Sequence, residues 1–180
     1  MKDFNFFLLL SVVCLTSCNV LVCYPEKTSY NHPRDYDISY ENLFIVTKDN
    51  VPLHGWWLTP KEGPAEGTVI HFHSSEKNIS YHLNDSRRLV ENGFNVLIFD
   101  YRGFGHSDGV PHKWGLIKDG VAAIDHVLDR EEVDPNKIII FAQAEGVPVA
   151  LSALEAHGMK PACIVFDNQL YTYSKVTEET

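Results

Sequence analysis

The stretch FNVLIFDYRGFGHSDG, residues 94–109, decides the fold of this 180-residue chain. Its first six residues are apolar except for Asn95 and lack alternation, which predicts a strand that is covered on both faces of a sheet. The glycine-rich remainder predicts a loop at the carboxyl end of that strand. Runs that lack alternation also occur at Val69–Phe72 and Ile138–Phe141. Buried strands of this kind, separated by helix-length segments, predict a parallel sheet with helical crossovers.

Strand-length and helix-length segments alternate along the rest of the chain. We expect strands near residues 38–46, 51–58, 67–73, 94–99, 137–142 and 161–166. We expect helices near residues 79–92, 116–129 and 147–157. The first two strands face each other across a turn at residues 48–50. The predicted fold class is therefore α/β, with a mostly parallel central sheet, an antiparallel hairpin at its N-terminal side and helices on both faces.

Composition excludes several function classes. A hydrophobic content of 44% is that of a globular protein, so the chain is not predicted to be disordered. Its 24 acidic and 15 basic residues give a formal charge of −9, and no basic cluster appears. Such a chain repels phosphate backbones, so we expect no nucleic-acid partner. No pattern for a cofactor is present either, and none is expected.

The N-terminus has the order of an export signal. A lysine is followed by an apolar stretch and then by the small residues before Cys18. The segment Leu15-Thr16-Ser17-Cys18 resembles the lipobox of bacterial lipoproteins, which implies cleavage after residue 17 and lipidation of Cys18. An uncleaved anchor over residues 4–22 and plain secretion are the alternatives. The two leading interpretations tether the protein to a membrane, and the lipoprotein interpretation places it in the bacterial cell envelope.

The predicted domain organisation follows from this start. Residues 1–17 are the signal peptide, residues 18–37 a polar, proline-containing tether, and residues 38–180 the folded domain. Cys163 lies in an apolar run, where we expect a buried, unreactive thiol.

One literal match to the G-x-S-x-G pattern of serine hydrolases is present, with Ser107 at its centre. That pattern works because its serine sits on a sharp turn directly between a strand and a helix. Here several loop residues separate Ser107 from the strand, and Val110-Pro111 follows instead of a helix. We therefore expect Ser107 not to be a nucleophile.

The expected strand–turn–helix context occurs at residues 137–150 with different residues. Ala142-Gln143-Ala144-Glu145-Gly146 joins a strand to a helix, and Pro148 fits the first turn of that helix. Ala144 takes the position of the serine. Alanine has no nucleophilic atom, so no acyl-enzyme can form at this position.

Three segments resemble the α/β-hydrolase superfamily, and specifically its serine-aminopeptidase-like (S33-type) lipoprotein group. They are residues 71–80 (HFHSSEKNIS), 100–109 (DYRGFGHSDG) and 138–150 (IIIFAQAEGVPVA). The second matches the family's DYRGxGxSxG loop, and the third resembles its elbow, usually GQSLGG. Together the resemblance covers residues 38–175. It implies an α/β-hydrolase-like sheet whose C-terminal strands are missing.

The resemblance also implies roles for single residues. The oxyanion hole uses backbone N–H groups at the positions of Ser75 and Glu145, with Ser74 in place of a glycine. A carboxylate at Glu145 opposes the stabilisation of a developing oxyanion. No triad acid or histidine follows in the family's order, so no intact catalytic residue is expected. Structural roles in holding the glycine loop fall to four residues: Asp100, Arg102, Gly103 and Gly105.

Two further groups of residues have a functional and a structural interpretation. His71 and His73 share one side of a strand at a spacing that suits a metal, but no third ligand is evident, so no metal site is expected. Ser74 and Ser75 could substitute for the missing nucleophile, but neither has an identifiable base.

Three hypotheses about function remain. The chain is a degenerate hydrolase-like lipoprotein without hydrolase activity, retained for binding a protein or small molecule. Alternatively it is a nonfunctional gene fragment. Third, it is an active hydrolase of small esters or peptides with an atypical site, or with a missing half supplied in trans.

Overall fold

The computed structural model describes residues 23–167. Within them lie eight strands: β1 (Tyr24–Pro25), β2 (Ser39–Val46), β3 (Pro52–Thr59), β4 (Gly67–Phe72), β5 (Glu76–Lys77), β6 (Phe94–Phe99), β7 (Ile138–Gln143) and β8 (Cys163–Asp167). Six of them form one sheet in the order β2-β3-β6-β4-β7-β8. The β2–β3 and β3–β6 pairs are antiparallel, and the other three pairs are parallel. The predicted fold class is confirmed.

Three α-helices cover both faces of this sheet: α1 (Ile79–Glu91), α2 (Lys113–Leu128) and α3 (Gly146–His157). Along β6, Val96 and Ile98 pack in a cluster with α1. Leu97 and Phe99 point the other way, into the larger cluster with α2 and α3. Burial on both faces is why this strand is apolar without alternation.

The ends of the helices follow local capping chemistry. Helix α1 begins after Asn78, whose side chain accepts a hydrogen bond from the Ser80 N–H, and Gly93 follows its C-cap with φ of 89°. Helix α2 begins three residues earlier than predicted, because the His112 side chain accepts from the Gly115 N–H. Trp114, in that first turn, is 67% exposed and so gives no apolar periodicity to mark the start.

Residues 24–37 correct the interpretation of this segment as a tether without structural elements. Strand β1 pairs in parallel with β5, and Pro33–Tyr36 form a 3-10 helix that begins after His32. The polar composition that suggested a linker supplies hydrogen bonds to the domain instead. Among them are Asn31 Nδ2 to the Ser80 carbonyl at 3.1 Å and the Tyr30 N–H to Ser80 Oγ at 2.9 Å.

Strand β8 corrects the expectation of a buried Cys163. Cys163 is exposed, and Val165 and Phe166 keep 46% and 48% of their surface exposed. β8 is the last strand of the sheet in the described range, so it pairs with β7 on one side only. In the sequence, an apolar run at the edge of a sheet has the same pattern as a core strand. Here no described element covers β8.

The predicted signal peptide and Cys18 lie outside the described residues. None of the helices formed by residues 23–167 has the length and apolarity that crossing a bilayer requires.

Candidate functional site

The turn between β7 and α3 has the geometry of a nucleophile elbow. Ala144 adopts a left-handed backbone conformation with φ of 45°, which is unfavourable for a residue with a Cβ atom. Its N–H donates to the Asp167 carbonyl at 3.0 Å, and its own carbonyl accepts from the Val147 N–H at 3.0 Å. Strain of this kind is concentrated at functional sites. Here the residue that bears it has only a methyl group.

Close packing under the elbow depends on Gly146. A Cβ atom at this position would collide with the carbonyl oxygens of Phe72 and His73, at the end of β4. Glycine therefore allows α3 to start directly against the neighbouring strand. This glycine is retained, although Ala142 and Val147 replace two other glycines of the family's pattern.

The two positions assigned to an oxyanion hole lie side by side. The Ser75 N–H points at the carboxylate of Glu145, with an N···Oε2 distance of 3.5 Å, at the long end for a hydrogen bond. Glu145 is the N-cap residue of α3, but its side chain accepts no hydrogen bond from that helix. A negative charge therefore lies against the donor that an oxyanion would need.

The segment at residues 23–31, named here the N-terminal strap, crosses the same edge of the sheet. The Tyr24 N–H donates to the Ser75 carbonyl at 2.8 Å, and the Gly105 N–H donates to the Glu26 carbonyl at 3.1 Å. Asn78 Nδ2 donates to the carbonyls of Glu26 and Thr28, both at 2.8 Å. These contacts fasten the strap above the carboxyl ends of β4 and β6.

Cys23, at the start of the strap, lines a small pocket beside Glu145. The remaining cavity has a volume of about 10 Å³, and its other walls are Ser75, Tyr101, Phe104, Leu116, Gly146 and Val149. That is barely the room of one water molecule. Burial, and secondarily the nearby Glu145 carboxylate, raise the pKa of the Cys23 thiol. The thiol therefore occupies this pocket in its neutral form.

Ser107 lies buried in the glycine loop, away from the elbow. Its Oγ–H donates to the Asp100 carbonyl at 2.7 Å, and its Oγ accepts from the His54 N–H at 2.9 Å. The first contact closes the loop on its own first residue, and the second joins the loop to β3. The hydroxyl is thus occupied by the backbone, as expected for a serine with a structural role.

Asp100 and Arg102 of the glycine loop are buried and paired. The Asp100 carboxylate accepts from the Ile79 N–H at 2.9 Å and lies 3.3 Å from His54 Nδ1. A Cβ atom at Gly105 would collide with that carboxylate. Gly103 has φ of 81°, and the ring of Pro111 lies where its Cβ atom would be.

Arg102 joins this loop to two other elements. Its guanidinium binds Asp49 in the β2–β3 turn, at 3.0 Å, and Asp119 in α2, at 2.7 Å. Hydrogen bonds from Arg102 hold the pKa of Asp49 well below its usual range. A guanidinium with two carboxylate partners is a stable buried arrangement, because each charge is paired and hydrogen-bonded.

Within residues 23–167, His71 and His73 have no third side chain placed to complete a metal site. Among residues 23–167, no group of three or more histidine, cysteine, aspartate or glutamate side chains has metal-binding geometry. His71 Nε2–H donates to Gln143 Oε1 at 2.8 Å, and its Nδ1 accepts from Ser86 Oγ at 2.8 Å. Burial lowers the pKa of His71 to about 3, so it is a neutral core residue that supports the elbow through Gln143.

A serine–histidine pair that sequence reasoning missed lies near the elbow. Ser74 Oγ is 3.3 Å from Nε2 of His82, which lies in the first turn of α1. The same nitrogen lies 3.2 Å from the Glu76 carbonyl oxygen, which only accepts hydrogen bonds. Nε2 therefore carries a proton and cannot take one from Ser74. The fold brings this pair together from separate elements, and no spacing in the sequence indicates it.

An open cleft lies directly above Ala144. It has a volume of about 530 Å³, within the range of small-molecule sites. Its walls are the side chains of the strap, of β5, of the start of α1 and of the elbow: Tyr30, Asn31, Ser74, Glu76, Tyr81, His82, Asn84, Asp85, Gln143 and Ala144. The elbow thus still faces a space that a ligand can enter.

Comparison with known proteins shows the relationship that these features suggest. The chain is 33% identical over 162 residues to the uncharacterized protein YfhR of Escherichia coli K12, covering 87% of this chain and 55% of that protein. It is 28% identical over 137 residues to the alpha/beta hydrolase domain-containing protein WAV2 of Arabidopsis thaliana, covering 76% of this chain and 44% of that protein. The chain therefore spans about half the length of these relatives.

Among solved structures, the Pyrococcus furiosus esterase Pf2001 superposes with a TM-score of 0.69 and 28% identity. The match covers 83% of this chain and 60% of the esterase. The profile of the family described as serine aminopeptidase, S33, matches residues 63–171, from before β4 to beyond β8. The chain belongs to the S33 serine aminopeptidase family and has the α/β-hydrolase fold.

Proposed function

We propose that this chain is a member of the S33 family that binds a ligand without hydrolysing it. The observation that carries the proposal is the methyl group of Ala144, at the strained turn between β7 and α3. In the mechanism of serine hydrolases, the residue at this turn supplies the attacking oxygen. A methyl group cannot form the covalent intermediate, so the acyl-transfer route is closed at its first step.

The electrostatics next to the elbow support the same proposal. The Glu145 carboxylate lies 3.5 Å from the Ser75 N–H, where a hydrolase needs room for a developing oxyanion. Removing one donor of such a site typically slows catalysis about 10²–10³-fold. A carboxylate at the donor adds repulsion to that loss. Restoring a serine alone would therefore leave the second defect in place.

The open cleft supports binding as the retained property. A ligand of about 530 Å³ or less fits above Ala144, and the polar side chains around it are positioned by regular elements. By contrast, the small pocket that Glu145 and Cys23 line has a volume of only about 10 Å³. The small pocket thus has no room for the acyl group or the leaving group of an ester. Of these two spaces, only the open cleft has room for a ligand.

The test is hydrolysis of p-nitrophenyl acetate and butyrate by the purified full chain. We expect no turnover above that of the buffer, and Ala144→Ser alone to add little. Ala144→Ser combined with Glu145→Leu removes both local defects, and Ser107→Ala serves as the matched control. Turnover by the unmodified chain that disappears in any single serine variant would contradict the proposal.

A second candidate is hydrolysis by an atypical site, and one contact favours it. Ser74 Oγ and His82 Nε2 lie 3.3 Å apart and both line the cleft. Burial lowers the pKa of His82, which keeps its ring neutral, but its Nε2 proton is directed to the Glu76 carbonyl. This candidate predicts that Ser74→Ala abolishes ester hydrolysis and that Ser107→Ala does not.

We further propose that the chain is an exported lipoprotein with Cys18 lipidated. The charged, apolar and small-residue order of residues 1–18 supports this. Four residues lie between Cys18 and Cys23, and the five steps from one Cα atom to the other span at most about 17 Å. A lipid on Cys18 would therefore hold the strap and the cleft edge near the membrane. Fatty-acid labelling that persists in Cys18→Ala, or an N-terminus that retains residues 1–17, would contradict it.

A further inference from the structure

Two tyrosines on one wall of the cleft already hold an ammonium group. The rings of Tyr30 and Tyr81 meet edge to face, with centroids 5.4 Å apart. The Lys77 Nζ lies 4.7 Å from the Tyr30 centroid and 4.0 Å from the Tyr81 centroid. Both distances are within the range of cation–π attraction. No carboxylate in the described part of the chain forms an ion pair with Lys77, so the tyrosine rings are its partners there.

The backbone holds Lys77 against this pair at a cost. Lys77 has φ of 61°, a left-handed conformation that disfavours residues with a side chain. Pairing of β5 with β1 places it there, since Pro25 lies opposite Lys77 and the Glu26 N–H donates to its carbonyl at 3.3 Å. The ammonium itself has no such constraint, because the lysine side chain is flexible and half-buried. It can leave the rings for water when another cation arrives.

The charges around the cleft also favour a cation. Two carboxylates, of Glu76 and Asp85, are among its lining residues, and no lysine or arginine of the described chain is. Asp85 is held in place by Gln143 Nε2, which donates to its Oδ2 at 3.1 Å. The only basic group in the lining is His82, which burial keeps neutral. Apart from the Lys77 ammonium held at the two rings, the cleft therefore presents carboxylates and aromatic faces together.

We propose that the cleft above Ala144 binds a ligand with an organic ammonium group, which displaces Lys77 from the Tyr30–Tyr81 pair. The inference rests on the proposed binding function and gives it a ligand class. The cation lies between the two rings, and the carboxylates of Glu76 and Asp85 supply long-range attraction. The remainder of the ligand extends over the methyl group of Ala144, where a hydrolase would have its nucleophile.

The test is a titration of the full chain, in a maltoside detergent, with choline and with the neutral alcohol in which carbon replaces the quaternary nitrogen. Binding is followed by the resonances of isotope-labelled tyrosine rings. We expect choline to shift them and the neutral alcohol to bind at least about fivefold more weakly. Tyr81→Leu should weaken choline binding about two- to fivefold, the size of an exposed cation–π interaction, and Tyr81→Phe should not.

Lys77→Gly is the sharpest variant, because it removes the internal competitor and relieves the left-handed backbone. It should tighten choline binding severalfold. Lys113→Ala is the matched control, since Lys113 lies 5.2 Å from the Trp114 ring centroid in a different element and should leave binding unchanged. Equal binding of choline and the neutral alcohol, or no effect of Tyr81→Leu, would overturn the inference. Ester hydrolysis is measured separately, so failure here leaves the non-hydrolytic proposal standing, and the reverse also holds.

Discussion

The glycine loop at residues 100–109 and the elbow at residues 142–147 follow β6 and β7, the two strands that flank β4 in the sheet, and they differ in their side chains. In the loop, every charged or hydroxyl side chain that is buried has a partner, as Asp100, Arg102 and Ser107 show. In the elbow, the backbone has the geometry of a catalytic turn, but the side chain at Ala144 is a methyl group. The backbone geometry of a catalytic turn can therefore be present without a reactive side chain at its centre.

The largest expected effect is in the loop. Asp100→Ala removes a buried carboxylate that accepts from the Ile79 N–H and faces His54. Leaving those groups without a partner should lower the free energy of unfolding by about 3–5 kcal/mol. Urea denaturation measures this, with Asp100→Asn as the variant that keeps the shape. A decrease of less than about 1 kcal/mol in the free energy of unfolding would show that the contacts of Asp100 do not stabilise this edge of the sheet.

The pH dependence of stability tests the core beneath the elbow. The pKa of His71 is lowered to about 3 by burial, so between that value and its ordinary 6.5 the unfolded chain binds a proton that the folded chain does not. The free energy of unfolding should therefore fall as the pH drops below 6.5, by about 1.4 kcal/mol per pH unit from this residue. His71→Phe should reduce the slope by that amount. An unchanged slope would mean that His71 is protonated in the fold.

Next in size is the packing under the elbow. Gly146→Ala places a Cβ atom against the carbonyls of Phe72 and His73 and should cost about 1–3 kcal/mol. Gly158→Ala is its control, because Gly158 has φ of 85° with open space around it. That variant should cost only about 1 kcal/mol, from the backbone alone. If both variants lose the same free energy of unfolding, Gly146 is not required for the close approach of α3 to β4.

The smallest effect belongs to Ala144, at the turn between β7 and α3. Ala144→Gly relieves the left-handed backbone at φ of 45° and should raise the free energy of unfolding by about 0.5–1 kcal/mol. Thermal unfolding resolves a change of this size. A loss of stability would mean that the methyl group packs usefully in the cleft floor. The elbow would then be a structural turn rather than a strained relic.

The fold was predictable because its signals are local. Mostly apolar runs without alternation indicated β4, β6 and β7, and the carboxyl ends of β6 and β7 placed the glycine loop and the elbow at one edge of the sheet. The strand β8 was found for the same reason, but the exposure of Cys163 was not. The apolar composition of a segment indicates a strand, but the burial of that strand depends on which elements pack against it. The strap was misjudged because its polar residues bond to distant backbone groups rather than to one another.

The site was only partly predictable. The absence of a nucleophile at Ala144 follows from one residue in its context, and so does the carboxylate at Glu145. The Ser74–His82 contact and the Lys77–Tyr30–Tyr81 cluster could not be predicted from any single residue or motif. They depend on how the strap, β5 and the start of α1 meet, which no spacing within a single element encodes.

The measurement that tests the central claim most directly is the intact mass of the full chain after incubation with a fluorophosphonate, which traps activated serines. The account predicts no adduct, because the turn between β7 and α3 presents a methyl group and both Ser74 and Ser107 lack a base. A stoichiometric adduct would contradict it. Mapping that adduct to Ser74 would identify the atypical hydrolase, and mapping it to Ser107 would show that the elbow had been assigned to the wrong loop.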